Sequence, residues 1–181
     1  MRIKKHKLIT NAVATLLSFG LLIGFSAVTN SSPTARLFKS VGEETTLTIK
    51  GSATQVATEF ADGEALDEKI QGIDSNVTVI YYRTGTSTAY TPLNNASEEI
   101  RLYNSGGGIG QSIMVKTVPG YSIKDFTVNW TASNNGKCNY TSGTKNALDA
   151  CSFIVQNIGN TSGTKNGQVR ITSIVVTYFS Y

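Results

Sequence analysis

The sequence predicts an all-β fold, an antiparallel jelly-roll-like β-sandwich that follows an N-terminal signal helix. Short segments rich in Val, Ile, Thr, Tyr and Phe recur along the chain, and Gly, Asn, Ser or Asp separates them. Within these segments apolar residues alternate with polar ones, as expected for strands with one buried face. Two sheets packed face to face bury such faces against each other, so these observations together favour a sandwich.

The first 29 residues have the layout of a secretory signal. Four basic residues precede an apolar stretch over residues 12–28, and no acidic residue occurs before Glu43. We therefore expect a secreted protein or one on the extracellular surface, with no stable membrane insertion once the signal is cleaved. Retention as an anchor is the alternative, because the apolar stretch is close to the shortest that spans a bilayer. Polar residues 30–42 are expected to form a linker.

The remaining residues, 43–181, are predicted to form a single β-sandwich domain, since about 140 residues suffice for one core. Strands are expected at residues 45–50, 55–60, 77–82, 99–103, 111–118, 122–132, 137–141, 151–157 and 168–179. Only residues 63–71 are expected to form a short helix.

Two of the long predicted strands change phase midway. Ile123 is followed by Phe126 on the inward face, and Ile171 is followed by Ile174, so each strand skips one position of the alternation. Such a strand either contains a β-bulge or passes from one sheet to the other. Both devices are typical of curved sandwiches.

The only two cysteines, Cys138 and Cys151, occur in a chain that is expected to be exported. An even pair of cysteines in an oxidising compartment predicts a disulfide bond. The bridge is expected to connect the two ends of a hairpin.

Three strings in the second half carry a resemblance to a known kind of module. They are IRLY at residues 100–103, SIKDFTV at 122–128 and VRITSIVVTY at 169–178. From about residue 77 to residue 178 the chain resembles a small β-sandwich module of secreted bacterial proteins, which is sometimes attached to extracellular nucleases or other hydrolases. The resemblance implies a galactose-binding-like or carbohydrate-module-like sandwich, and it implies no particular ligand residues.

Charge and histidine content narrow the function. From Val41 onward there are ten Lys and Arg against twelve Asp and Glu, a net charge of −2, so the basic balance belongs to the leader. No nucleic-acid partner is therefore expected. The only histidine is His6, inside the leader, which removes histidine-dependent catalysis and His-ligated zinc from the domain. We therefore expect no enzyme, with a weak carboxylate-based hydrolase as the remote alternative.

The acidic loop at Asp62 and Glu64 is the candidate place for a structural calcium ion, although the sequence defines no firm ligand set. Solvated loop carboxylates are the alternative interpretation. No other cofactor is expected.

Two groups of residues are candidates for contact with a sugar. A pyranose ring stacks on an aromatic side chain while polar groups bond its hydroxyls. Tyr82, Arg83 and Tyr90 surround one loop, and Arg101 and Tyr103 share the strand face opposite to their apolar neighbours. These rings also fit ordinary packing, which is the alternative.

The expected function is a secreted, non-catalytic binding module for a glycan or a cell-envelope polymer. A structural or adhesive surface protein that binds other proteins is the alternative.

Overall fold

The computed structural model describes residues 42–56, 59–83, 92–93, 97–104, 110–159 and 166–181. The predicted signal over residues 1–29, and the predicted linker except Gly42, lie outside the described residues.

Nine strands form within the described residues, and they make up two antiparallel sheets. They are β1 (Glu44–Ile49), β2 (Glu64–Ala65), β3 (Val77–Tyr82), β4 (Ile100–Asn104), β5 (Ser112–Thr117), β6 (Tyr121–Ser133), β7 (Lys145–Ala150), β8 (Ser152–Gln156) and β9 (Gly167–Ser180). The five-stranded sheet has the order β1-β9-β6-β7, and β4 also pairs with β9. The four-stranded sheet has the order β2-β3-β5-β8. The predicted all-β sandwich is therefore confirmed.

The chain passes repeatedly from one sheet to the other, which is the jelly-roll-like feature of the fold. Of the first five described strands, β1 and β4 belong to the five-stranded sheet, and β2, β3 and β5 to the four-stranded sheet. Strands that follow one another in the chain therefore often lie in different sheets. Their apolar faces are buried against each other in one shared core.

The core is formed by the alternating apolar residues of both sheets. On the five-stranded side Ile100, Leu102, Val128 and Ile174 are fully buried. Phe126 on β6 stacks on Phe153 of β8, with ring centroids 3.7 Å apart. This stacked pair joins the two sheets directly, because β6 and β8 belong to different ones.

Both predicted changes of phase are β-bulges within the five-stranded sheet. On β6, Lys124 is the extra residue, because Ile123 pairs with Tyr178 and Asp125 with Thr177. On β9 the extra residue is Thr172, between the pairs Asn129–Ser173 and Trp130–Ile171. Each bulge inserts one residue and so returns the following apolar side chains to the core.

Three predicted elements differ from the structure. Residues 137–141 form a single bridge at Cys138 rather than a strand. The described residues of 55–60 are not in a strand, and Phe60 packs edge-on against Tyr81 instead. Residues 63–71 contain β2 and a 3₁₀ helix of three residues, Asp67–Lys69. Nowhere in the described ranges is there a helix long and apolar enough to cross a bilayer.

Strand β7 was absent from the sequence-based prediction. Its sequence, KNALDA, contains Lys, Asn and Asp, which are poor strand formers, and it offers only Leu148 as a large apolar residue. It forms because β6 provides a pairing edge, against which Phe126 pairs with Asn146. Tertiary pairing therefore overrides local preference here.

The predicted disulfide bond is wrong, because Cys138 and Cys151 are free in the structure. Cys138 pairs with Asn157, just beyond one end of β8, whereas Cys151 directly precedes the other end. Asn157 lies six positions after Cys151 along extended chain, a span of roughly 20 Å. A disulfide requires Cα atoms within about 7 Å, so the two thiols do not meet.

Candidate binding surface

The first predicted group, Tyr82 and Arg83, lies at the end of β3 in the four-stranded sheet. Tyr82 is half-buried and faces outward, because its neighbour Tyr81 is buried in the core. The backbone N–H of Arg83 donates to Asp62 Oδ1 over 2.8 Å. Tyr90 lies outside the described residues.

The acidic loop uses its carboxylates to bind backbone N–H groups, one within the loop and one at the end of β3. Asp62 accepts from Arg83, and Glu64 Oε2 accepts from the N–H of Ala61 over 2.6 Å. Gly63 between them has φ of +81°, a left-handed turn conformation that favours glycine. Among the residues that the structure describes, no three His, Cys, Asp or Glu side chains are grouped as metal ligands would be. Calcium at Asp62 and Glu64 therefore stays a prediction.

The second predicted group, Arg101 and Tyr103, lies on β4 in the five-stranded sheet. Tyr103 is only 7% exposed, so the expectation of an exposed aromatic platform at this position is wrong. The segment at Gly110 and Gln111 packs directly on it: Gln111 N–H donates to Tyr103 O over 2.9 Å, and Gln111 Oε1 accepts from Tyr103 N–H over 3.0 Å. A Cβ on Gly110 would lie 2.8 Å from the same carbonyl oxygen, so only glycine allows this approach.

Arg101 has a partner that the sequence prediction did not include. In the register of β4 and β9, Arg101 lies directly opposite Arg170. The backbone N–H of Arg101 points away from β9, because it donates to Pro92 O over 2.8 Å. The two arginines therefore form a non-hydrogen-bonded pair, in which facing Cα atoms are roughly 4.5 Å apart and side chains are closest.

Each guanidinium group is oriented by the residue two positions earlier in the chain, which is Glu99, directly before β4, for Arg101 and Gln168, on β9, for Arg170. Arg101 binds Glu99 Oε2 through Nε and one terminal nitrogen, both over 3.1 Å. Arg170 binds Gln168 Oε1 through Nε and one terminal nitrogen, both over 3.2 Å. Residues two apart on a strand share a face, so all four side chains lie on the outer side of the sheet.

Polar residues of β6 extend this surface. Thr131 lies beside Arg170, and Ser133 lies beside Gln168, in the register of β6 and β9. The outer surface formed by Arg101, Arg170, Gln168, Thr131 and Ser133 is called the arginine face below. It presents guanidinium, amide and hydroxyl groups on three adjacent strands, which can bond the hydroxyl or acidic groups of a ligand.

Sequence reasoning found Arg101 but missed Arg170 and Gln168. The alternation of β9 does place both residues on the outer strand face, because they are out of phase with the buried Val169 and Ile171. Arg101 has the same relation to its own neighbours. What the sequence lacked was the pairing of β4 with β9 that brings Arg170 opposite Arg101.

A buried amide holds β4 and β9 at this end of the sandwich. Asn157 is fully buried, and its Nδ2 donates to Leu102 O over 2.9 Å and to Gly167 O over 3.0 Å. Its Oδ1 accepts from the N–H groups of Lys137 and Gly159. Each polar atom of the side chain is therefore bonded twice, and the strands that carry the two arginines are held in place.

A groove of about 580 Å³ lies elsewhere, between residues 52–56 and residues 68–71. Its polar side chains include Ser52, Thr54, Glu68 and Lys69. Nearby, Glu98 adopts a left-handed φ of +57° and pairs with Lys50 over 2.9 Å. No aromatic residue lies among the described residues that line this groove, so it lacks a stacking surface for a sugar.

No family model, curated protein or solved structure matches the chain.

Proposed function

We propose that the protein is an exported, non-catalytic module that binds a glycan or cell-envelope polymer through the arginine face. The leader-like N-terminus supports export, and the carbohydrate-module-like strings support a sugar-related ligand. The observation that carries the proposal is the opposed pair Arg101 and Arg170, two multidentate donors on neighbouring strands. Side chains on paired strands are well positioned, which lowers the entropic penalty of binding.

The chemistry of the arginine face favours binding over hydrolysis. Hydrolysis of a glycosidic bond by carboxylates requires two of them across a cleft, roughly 5 to 9.5 Å apart. The carboxylate that adjoins this face in the described structure, Glu99, is already paired with Arg101. Its role is therefore to orient a guanidinium group.

A second candidate function, adhesion to other proteins, is favoured by a different surface. Ile80, Met114 and Ile154 are directly aligned across β3, β5 and β8 on the outer side of the four-stranded sheet. Ile154 is 42% exposed, and Ile158, just beyond β8, is 41% exposed. An exposed apolar row of this kind is a feature of protein contacts.

The test is retention of the purified full chain on insoluble polysaccharides, together with a glycan array. The double variant Arg101→Gln/Arg170→Gln is expected to lose retention, whereas Ile154→Ser is expected to keep it, because Ile154 lies on the other sheet. Thermal melting of each variant controls for folding. Absence of retention on every polymer, with a folded protein, would contradict the glycan proposal and favour adhesion.

Thermal melting of the full chain also tests calcium. If Asp62 and Glu64 hold a calcium ion, we expect added calcium to raise the melting temperature and a chelator to reverse the change, because a ligand that binds only the folded state stabilises it. Glu64→Gln should abolish the response. Identical melting with calcium and with chelator would remove calcium from the proposal.

A further inference from the structure

The arginine face holds two positive charges directly opposite each other, an arrangement that lowers the stability of the sheet. Like charges directly opposite each other on paired strands destabilise a sheet. Arg101 and Arg170 occupy such a pair, and it is of the non-hydrogen-bonded kind, in which side chains approach most closely. Arg101 is only 22% exposed, so water screens this repulsion less than it would at a fully exposed site.

The described surroundings compensate only part of this charge. Glu99, which is 18% exposed, pairs with Arg101, but Arg170 binds the neutral amide of Gln168. Thr131, on the other side of Arg170, is also neutral. The cluster of Arg101, Arg170 and Glu99 therefore carries a net charge of +1, on a domain whose overall charge is negative from Val41 onward.

The orientation of both guanidinium groups leaves donors for a ligand. A guanidinium group carries five N–H donors. In each arginine the contacts above use the edge formed by Nε and one terminal nitrogen, directed along its own strand. The other terminal nitrogen of each group is oriented away from that contact.

We infer that the polymer bound by the arginine face is anionic, and that its carboxylate or phosphate groups lie between Arg101 and Arg170. This inference rests on the proposed function and specifies its ligand class. An oxyanion placed there accepts charge-assisted hydrogen bonds from both arginines and removes their mutual repulsion. Such anions repeat along uronic-acid polysaccharides and along poly(glycerol phosphate) polymers, and both kinds fit the same pair of donors.

The binding test compares polymers of different charge. The full chain is titrated on immobilised polygalacturonate, poly(glycerol phosphate) teichoic acid and neutral dextran, at low and at high salt. We expect tighter binding to one or both anionic polymers than to dextran, and weaker binding at high salt. Arg101→Gln/Arg170→Gln should weaken anionic binding about 10-fold or more, since it removes charge-assisted hydrogen bonds. Lys116→Gln removes one exposed positive charge from the other sheet and is therefore the control for each single variant, Arg101→Gln and Arg170→Gln.

The outcomes separate this inference from the proposed function. Equal, salt-independent binding to dextran and to both anionic polymers would overturn the inference and leave glycan binding intact. Binding to none of the three polymers, and to no glycan on the array, would overturn both. Anionic binding that is lost in Lys116→Gln but retained in the double variant would also overturn the inference, because it would place the site on the other sheet.

A stability measurement gives a second readout that needs no polymer. Arg170→Gln removes the cross-strand repulsion and keeps the ion pair of Arg101, so its melting temperature at low salt should exceed that of the parent by about 1–3 °C. The difference should shrink at high salt. A clearly lower melting temperature for Arg170→Gln would show that the arginine pair serves the fold, and would overturn the inference.

Discussion

At the scale of single residues, the buried side chain of Asn157 makes four hydrogen bonds beside the arginine face. Its amide group connects backbone groups near β4, β9 and two loop positions, Lys137 and Gly159. The side chain is fully buried, so its loss leaves these backbone groups without their protein partner inside the fold.

Asn157→Ala should therefore lower the free energy of unfolding by on the order of 3 kcal/mol, because four buried backbone groups lose a hydrogen-bond partner. The matched control is Asn146→Ala, whose Nδ2 bonds to Thr144 O at a partly exposed site, and which should cost about 0.5 kcal/mol. Urea denaturation followed by fluorescence measures both. Equal losses for the two variants would contradict the structural role of Asn157.

The two cysteines are free thiols near opposite ends of β8, and they lead to a second prediction at the residue scale. Burial raises the pKa of the Cys138 thiol above its ordinary value of 9.0, which keeps it protonated, whereas Cys151 is exposed. Because the thiolate is the reactive form, a thiol reagent should label Cys151 in the folded protein and Cys138 only after unfolding.

Thermal melting tests independently whether the two thiols are free. The melting temperature should be equal with and without reductant, since no covalent link is broken. A melting temperature that falls in reductant, or protection of Cys151 from labelling, would show that a bridge forms after all.

At the scale of elements, β9 organises the five-stranded sheet. It pairs with β6 along nearly its whole length, with β4 through residues 167–171, and with β1 through residues 174–179. Thr172 is the bulge residue between these two partner strands, so it separates the arginine face from the half of the sheet that carries β1.

Deletion of Thr172 should prevent stable folding, because a one-residue shift turns either Val169 and Ile171, or Ile174 and Val176, away from the core. Thr172→Ala keeps the residue count and loses one exposed hydrogen bond, from Oγ1 to Asn129 O over 3.1 Å. It should cost about 0.5 to 1 kcal/mol. Circular dichroism and thermal melting distinguish the two variants, and a cooperative melt of the deletion variant near that of the parent would disprove the bulge.

At the scale of the whole molecule, the buried and partly buried tyrosine hydroxyls are groups that ionise only at high pH. Burial is the main cause that raises the pKa values of Tyr81, Tyr140 and Tyr178 above the ordinary 10.0, and for Tyr178 the hydrogen bond to Asp74 raises it further. The folded protein therefore binds these protons more tightly than the unfolded chain does.

The stability of the folded protein should fall at high pH. A raised pKa stabilises the folded state fully below the pKa of the unfolded chain, and this stability is lost as the pH rises. We expect the melting temperature to decline above about pH 9 to 10, first through Cys138 and then through the tyrosines. Tyr178→Phe should show a shallower decline, as measured by melts between pH 7 and 11. An identical decline in both proteins would contradict the contribution of Tyr178.

The sequence by itself determined the local properties of this protein. Alternating apolar residues predicted seven of the strands with bounds within about two residues of those observed, and the skipped positions after Ile123 and Ile171 located the two changes of phase, which the register of β6 and β9 shows to be bulges. The sequence alone predicts these features, because a strand with one buried face has an apolar residue at every second position.

Only the tertiary structure decided which distant residues meet. It placed Arg170 opposite Arg101, covered Tyr103 with the segment at Gln111, and put the two cysteines at opposite ends of β8. It also formed β7, whose own residues do not favour a strand. Pairing and register between strands far apart in the chain are set by the packing of the whole core, so no local pattern specifies them.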